Sequence, residues 1–249
     1  MRKIETVKLA ENETLTVVND GIKLIQNPRG LTFGTDALML AAFVKRAPES
    51  IAAEFGSGSG IISLLLASRG KLKKIYAVET QEYYAELTRR NAELNGMADK
   101  VEAVLGDARE FSSECDVIFT NPPYMKTTSG KRNCDDGKYA ARHEVNGDIY
   151  DFCASAAKCL KYGGLFYCVY RPDRAIDLLS AMREAKIEPK RIAFVSQDLK
   201  HKPCLMLVEG KRGGKPSCEV LPTLFLCNDG TNIPTEDAMR IYDTGEWSL

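Results

Sequence analysis

From about residue 50 onward, short apolar runs alternate with amphipathic stretches. The runs near 51–54, 74–78, 101–105, 115–119 and 164–170 have the length of strands. The segments 60–68, 81–95, 148–160 and 173–185 carry helical spacing, with a short helix expected at 108–112. Parallel strands need a crossover, so this order predicts an α/β, doubly wound, mostly parallel sheet. Ile192-Ala193-Phe194-Val195 and Cys204-Leu205-Met206-Leu207-Val208 have no helix between them and predict an antiparallel pair. Upstream, Val7-Lys8-Leu9, Leu15-Thr16-Val17-Val18 and Ile22-Lys23-Leu24-Ile25 alternate between polar turns, predicting a small N-terminal β extension within residues 1–30. Asp36 to Val44 reads as a helix lying before the first core strand. One domain is expected over 1–249.

Chemistry concentrates where strands end. Ser50 to Phe55 runs into Gly56-Ser57-Gly58-Ser59-Gly60 and then a helix, the context in which glycines permit close backbone approach and free helix N–H groups favour an electron-rich ligand group. Glu79 ends the next strand 19 residues after Gly60, where a carboxylate accepts from a ribose diol. The third strand ends in Gly106-Asp107-Ala108, and Asp107 is placed to accept from an adenine amino group. The fourth, Val117-Ile118-Phe119, leads into Asn121-Pro122-Pro123-Tyr124. Both prolines restrict the backbone, so the Asn121 amide and Pro122 carbonyl form a fixed pair able to grip a planar –NH2 group, with Tyr124 as a stacking face. A proline-rich turn and ordinary helix caps account for each feature taken singly. In an open α/β sheet, however, ligands bind beyond the carboxyl ends of the strands, where Glu54, Glu79, Asp107 and Asn121 all fall.

Composition narrows the field without adding chemistry. Lys plus Arg equals Asp plus Glu at 34 each, which argues against global electrostatic capture of nucleic acid. Between Lys186 and Lys215, eight basic residues stand against three acids, fitting either a phosphate-binding patch or a solvated strand face. Lys126, Lys131, Arg132, Lys138 and Arg142 follow the asparagine motif in a long stretch without hydrophobic periodicity, and are the better candidate phosphate contacts. The eight cysteines include no C-x-x-C pair, so a zinc framework is not expected. No apolar run approaches the roughly 18 residues of a membrane span, and Met1-Arg2-Lys3-Ile4-Glu5 lacks the apolar core of a signal peptide, so a cytoplasmic protein is expected. The tail beyond Pro216, with the single Trp247, suggests no function.

The four motifs, in this order, resemble those of the class I S-adenosylmethionine-dependent methyltransferases, with Glu54 where that family more often has Asp. Leu31-Thr32-Phe33-Gly34-Thr35-Asp36-Ala37, Ala141-Arg142-His143-Glu144 and Tyr170-Arg171-Pro172 are similar to segments of the bacterial tRNA1(Val) (adenine-N6)-methyltransferase family, with similarity spanning about residues 20–215. The resemblance implies a seven-stranded Rossmann-like sheet whose last strand is antiparallel. It also implies S-adenosyl-L-methionine as cofactor, tRNA as partner without an obligate protein partner, and methylation of an adenine N6.

The implied cofactor contacts are Thr35, Asp36, Glu54, Gly56, Gly58, Gly60, Glu79, Asp107, Ala108 and Asn121, with Thr35 and Asp36 at the methionine end. Asn121, Pro122 and Tyr124 would form the acceptor site. Arg142-His143-Glu144 positions phosphate, orders the loop or begins the next helix. The rival expectations are glutamine N5-methylation of a protein, guanine-N2 methylation of rRNA, adenine methylation of DNA, and a non-catalytic RNA-binding protein.

Overall fold

The computed structural model describes residues 8–30, 32–122 and 147–247. Strands β1 (Thr14–Val18) and β2 (Ile22–Gln26) form an antiparallel hairpin, followed by helix α1 (Thr35–Phe43). Then come β3 (Ala47–Phe55), α2 (Ile61–Ser68), β4 (Leu72–Glu79), α3 (Glu82–Leu94), β5 (Val101–Leu105) and β6 (Cys115–Thr120). After the interval 123–146 follow α4 (Ile149–Cys159), β7 (Leu160–Tyr170), α5 (Ala175–Glu184), β8 (Ile187–Ser196) and β9 (Leu205–Arg212). The tail adds β10 (Glu219–Val220), β11 (Leu224–Phe225) and α6 (Glu236–Thr244).

The main sheet runs β8-β9-β7-β6-β3-β4-β5, with β10 and β11 both pairing β8 at its edge. Strands β3 to β7 pair in parallel, and β9 is antiparallel to both β7 and β8. This is the expected doubly wound sheet with its antiparallel final strand, enlarged by two short tail strands. Period-two alternation sends successive side chains to opposite cores. Ala52, Val117, Phe119, Tyr167 and Leu207 join α1 and α2 on one face, while Ala53, Ile118, Phe166 and Met206 join α4 and α5 on the other.

Two expectations need correction. Residues 108–112 make only a turn, in which the Glu110 and Phe111 amides both donate to the Asp107 carbonyl. Among the described residues the N-terminal extension is one hairpin, and Lys8 and Leu9 are not in a strand. Its β2 strand is satisfied by side chains of α3 instead of a third strand. Asn91 accepts from Ile25 N–H (2.7 Å) and donates to the Ile25 carbonyl (3.0 Å), and one turn away Asn95 does the same with Lys23 (2.8 and 2.7 Å). Residues four apart share a helix face, so two amides mimic a pairing strand. Asn91 also donates to the Ser59 carbonyl at 3.0 Å, joining the hairpin to the glycine loop.

Helix α1 is fixed at its C-terminus, where carbonyl groups lack intrahelical donors. The buried Lys71 ammonium donates to the carbonyls of Ala41, Ala42 and Val44 at 3.1, 3.0 and 2.9 Å, with Glu246 of the tail 3.6 Å away. Burial pushes Lys71 down to about 8, opposed by Glu246. Buried Glu209 accepts from Lys45 and from Arg191, each at 2.8 Å, and the Arg191 guanidinium lies over the Phe43 ring. Trp247 packs edge-on against that ring from the tail.

Lys71→Met would strand three buried carbonyl groups, and urea unfolding should show a loss of roughly 2–4 kcal/mol. Glu246 is half-exposed, so Glu246→Gln should cost under about 1 kcal/mol. Equal losses would refute the capping role of Lys71.

Candidate functional site

Register brings the strand ends level. Phe55 of β3 pairs with Val78 of β4 and Thr120 of β6, and Glu79 pairs with Leu105 of β5. Gly56, Glu79, Gly106 and Asn121 therefore stand along one edge, around the point where the sheet order departs to either side of β3. A cavity of about 530 Å³ opens there, within the roughly 300–1,000 Å³ of small-molecule sites.

Glu54, Gly56, Gly58, Glu79, Asp107, Ala108, Asn121, Pro122 and Asp36 all line this cavity. Thr35 and Gly60 do not. The Tyr242 hydroxyl of α6 lies near the Thr35 side chain, so α6 packs against the start of α1. Gly60 is the left-handed N-cap of α2 (φ 81°), and a Cβ there would lie 2.8 Å from Thr88 of α3. Its glycine is required by helix packing. Gly56 (φ 75°) is different, since a Cβ would meet nothing within 4 Å and the bare backbone faces the cavity.

The carboxyl groups have separate environments. Glu54 is buried and accepts from the Ser63 hydroxyl at 2.5 Å and its N–H at 3.2 Å. Burial pushes its carboxyl up to about 8 despite those bonds. Glu79 accepts from Gly58 N–H (2.9 Å) on one oxygen and Gln81 N–H (3.0 Å) on the other, so it bridges the glycine loop and the start of α3. The Arg109 guanidinium beside Asp107 holds that carboxyl below the usual range, through contacts of 2.5–3.0 Å. Asn121 donates its amide Nδ2–H to Asp36 Oδ2 at 2.9 Å, linking the end of β6 to the start of α1.

Several lining residues were not legible as such from the sequence. Arg109 and Arg171 stand at the cavity with Phe33, Asp151 and Phe152. The spacing Asp148 to Asp151 announces only a helix start, and both side chains do cap α4 reciprocally. Tyr124, Lys126, Lys131, Arg132, Lys138, Arg142, His143 and Glu144 lie outside the described residues, as do Pro123 and Leu31. In the basic segment, Arg191 is engaged by Glu209 and Arg212 donates to the Leu160 carbonyl, so these two cations serve the sheet. Among the described residues no group of three or more His, Cys, Asp or Glu is arranged to hold a metal ion, and no helix is long and apolar enough to cross a membrane.

Comparison with known proteins accords with this geometry. A relative from Phocaeicola vulgatus, named tRNA1(Val) (adenine(37)-N6)-methyltransferase, is 32% identical over 154 residues, covering 59% of this chain and 63% of the relative, less than two thirds of its length. A Porphyromonas gingivalis protein of the same name is 27% identical over 180 residues, covering 68% and 69%. Among solved structures, one described as a predicted O-methyltransferase from Agrobacterium tumefaciens superposes with a TM-score of 0.69 at 18% identity, over 86% of this chain and 98% of that one. The tRNA m1G37 methyltransferase of M. jannaschii gives 0.57 at 18% identity, over 82% and 58%. These two likenesses concern the fold, which is that of the Rossmann-like methyltransferases. The sequence model of the methyltransferase small domain matches residues 29–186, the stretch that builds α1, the glycine loop and all the strand ends around the cavity, and the chain belongs to that family.

Proposed function

We propose that this protein transfers a methyl group from S-adenosylmethionine to the exocyclic N6 of an adenine in tRNA. The observation that carries the reading is Asn121-Pro122 on the wall of the same cavity as the glycine loop, Glu79 and Asp107. The names of the relatives from Phocaeicola vulgatus and Porphyromonas gingivalis support the substrate class.

The residues present fit the cofactor on two observations. Gly56 leaves open space where a side chain would stand, and the buried Ser57 hydroxyl has no hydrogen-bond partner among the described residues although it lines the cavity. Glu79 would accept from the ribose hydroxyls, Asp107 and Ala108 would hold the adenine, and Glu54, Gly58 and Asp36 would border the methionine end. S-adenosylmethionine supplies, when bound, an electrophilic methyl carbon on a sulfonium.

The chain's own work is at the acceptor. An aromatic amine donates its lone pair into the ring, so the nitrogen must become pyramidal to react. The Asn121 amide oxygen and the Pro122 carbonyl would accept from its two N–H groups, favouring that geometry in the transition state. Tyr124 would stack on the base, which must first be unstacked from its neighbours at a cost of roughly a few kcal/mol. Lys126, Lys131, Arg132, Lys138 and Arg142 would contact phosphates, which position the RNA without reading its sequence.

Asn121→Ala should lower the single-turnover rate by about 100-fold or more while S-adenosylhomocysteine affinity stays within about threefold of the native value. Glu79→Ala should weaken that affinity by about 10-fold or more. A normal rate in the first variant, measured with labelled methyl donor and unmodified tRNA, would rule out the clamp.

A cation bound in the cavity favours ionisation of Glu54, which in the empty protein keeps its proton up to about pH 8. Binding then releases that proton, so affinity rises with pH while the empty protein is still protonated. Calorimetry should show S-adenosylmethionine affinity climbing from about pH 6 towards about pH 8 and levelling above it, by at most about tenfold per unit, with a shallower climb for the neutral thioether S-adenosylhomocysteine. Glu54→Gln should flatten the climb. A flat native profile would contradict this coupling.

Given total tRNA, rRNA, duplex DNA and translation release factor, the native protein should place label in tRNA as N6-methyladenosine. Substituting Lys126, Lys131, Arg132 and Lys138 together should flatten the salt dependence of RNA binding without changing the modified base. Label found chiefly in the release factor would establish glutamine methylation instead.

A further inference from the structure

We infer that Asp36 is a positioning residue that sets which way the acceptor amide of Asn121 faces. The inference rests on reading Asn121 as the acceptor clamp and adds a residue that acts through it. A carboxylate accepts hydrogen bonds and has none to give, so the amide turns its –NH2 end to Asp36, as the 2.9 Å contact of Nδ2 with Oδ2 shows. The two ends of a planar amide point apart. Donation to Asp36 therefore directs Oδ1 away from α1, and a substrate amine meets an acceptor. The opposite rotamer would present –NH2 to –NH2, two donors facing each other.

Asp36 is itself held. Its other oxygen accepts from Ala37 N–H at 2.9 Å, and Gly34 makes room for it, because a Cβ there would stand 2.9 Å from that oxygen. Helix α1 is gripped at its start by Tyr242 on Thr35 and at its end by Lys71. The carboxylate that orients the amide thus projects from an element whose two ends are fixed, as a supporting contact to a reactive group requires. A charged acceptor also polarises the amide, leaving more negative charge on Oδ1.

The test separates orientation of the amide from cofactor binding. In Asp36→Ala the single-turnover rate on unmodified tRNA should fall by about 10- to 100-fold even at saturating S-adenosylmethionine, where any affinity lost at the methionine end no longer counts. Asp36→Asn offers one oxygen to the two donors Ala37 N–H and Asn121 Nδ2–H and carries no charge, so it should recover only part of the rate lost in Asp36→Ala. In a double-mutant cycle, Asp36→Ala should add almost nothing to Asn121→Ala. Independently of activity, the NMR signals of the Asn121 side-chain amide, recognised by their absence in Asn121→Ala, should shift and lose protection from exchange in Asp36→Ala.

Unchanged amide signals, additive effects in the cycle, or a rate restored in full at saturating S-adenosylmethionine would each overturn the positioning role. Full activity of Asn121→Ala would overturn the clamp itself. An inactive Asn121→Ala beside a fully active Asp36→Ala would overturn only the part assigned to Asp36.

Discussion

The site depends on the register in which β3 pairs with β4 on one side and β6 on the other. Phe55 opposite both Val78 and Thr120 ends the pairing of β3 with its two neighbours at one level. Just beyond that level Gly56 and Asn121 leave the sheet, while Glu79 makes the last pair of β4 with β5. Because side chains alternate between faces, a slip of one residue in β6 would send Phe119 and Ile118 to the wrong cores and move Asn121 away from Asp36. Packing of the two cores thereby fixes the position of the Asn121 amide, and side chains that never touch the cavity hold its geometry.

Helix α1 is the second fixed body. It contributes nothing to the sheet, yet its first turn closes the cavity from one side. Its place is set by Lys71 on its terminal carbonyls, by Glu209 between Lys45 and Arg191, and by Trp247 and Tyr242 from the tail. The tail also pairs β10 and β11 with the edge of β8, covering backbone groups that would otherwise invite another strand. The segment without a functional role in the sequence is therefore the clasp that fixes α1, and with it Asp36.

Local patterns made most of the sheet legible. Five strand-length runs with helices between them fix the winding, and the missing helix between β8 and β9 gives the antiparallel pair. The strand ends gave Glu54, Glu79, Asp107 and Asn121 for the same reason. What sequence could not show depends on distant partners. Nothing near Lys71 says that it reaches the end of a helix 30 residues earlier, and nothing near Asn91 says that it replaces a strand. Two-residue strands such as β10 and β11 carry no periodicity to read. The glycines of one loop look alike along the chain, and only Thr88 of another helix shows that Gly60 faces helix packing.

The charges around the cavity agree with the proposed chemistry. Both guanidiniums at its wall are engaged by acids close in sequence, Arg109 by Asp107 and Arg171 by Asp173, so neither leaves a strong positive field. Asp36, Glu79 and Asp151 come from three separate elements, and Glu54 adds a fourth carboxyl that burial keeps protonated up to about 8. Such a lining favours a sulfonium over the neutral thioether left after transfer. On transfer, positive charge leaves sulfur and arises at the acceptor nitrogen. In the proposed reaction Asp36, polarising Asn121 through one hydrogen bond, would put negative potential at the receiving end of that movement. A field that stabilised only the sulfonium would hold the cofactor and slow the reaction. The link from Asp36 to Asn121 would extend that field to the atom that gains the charge.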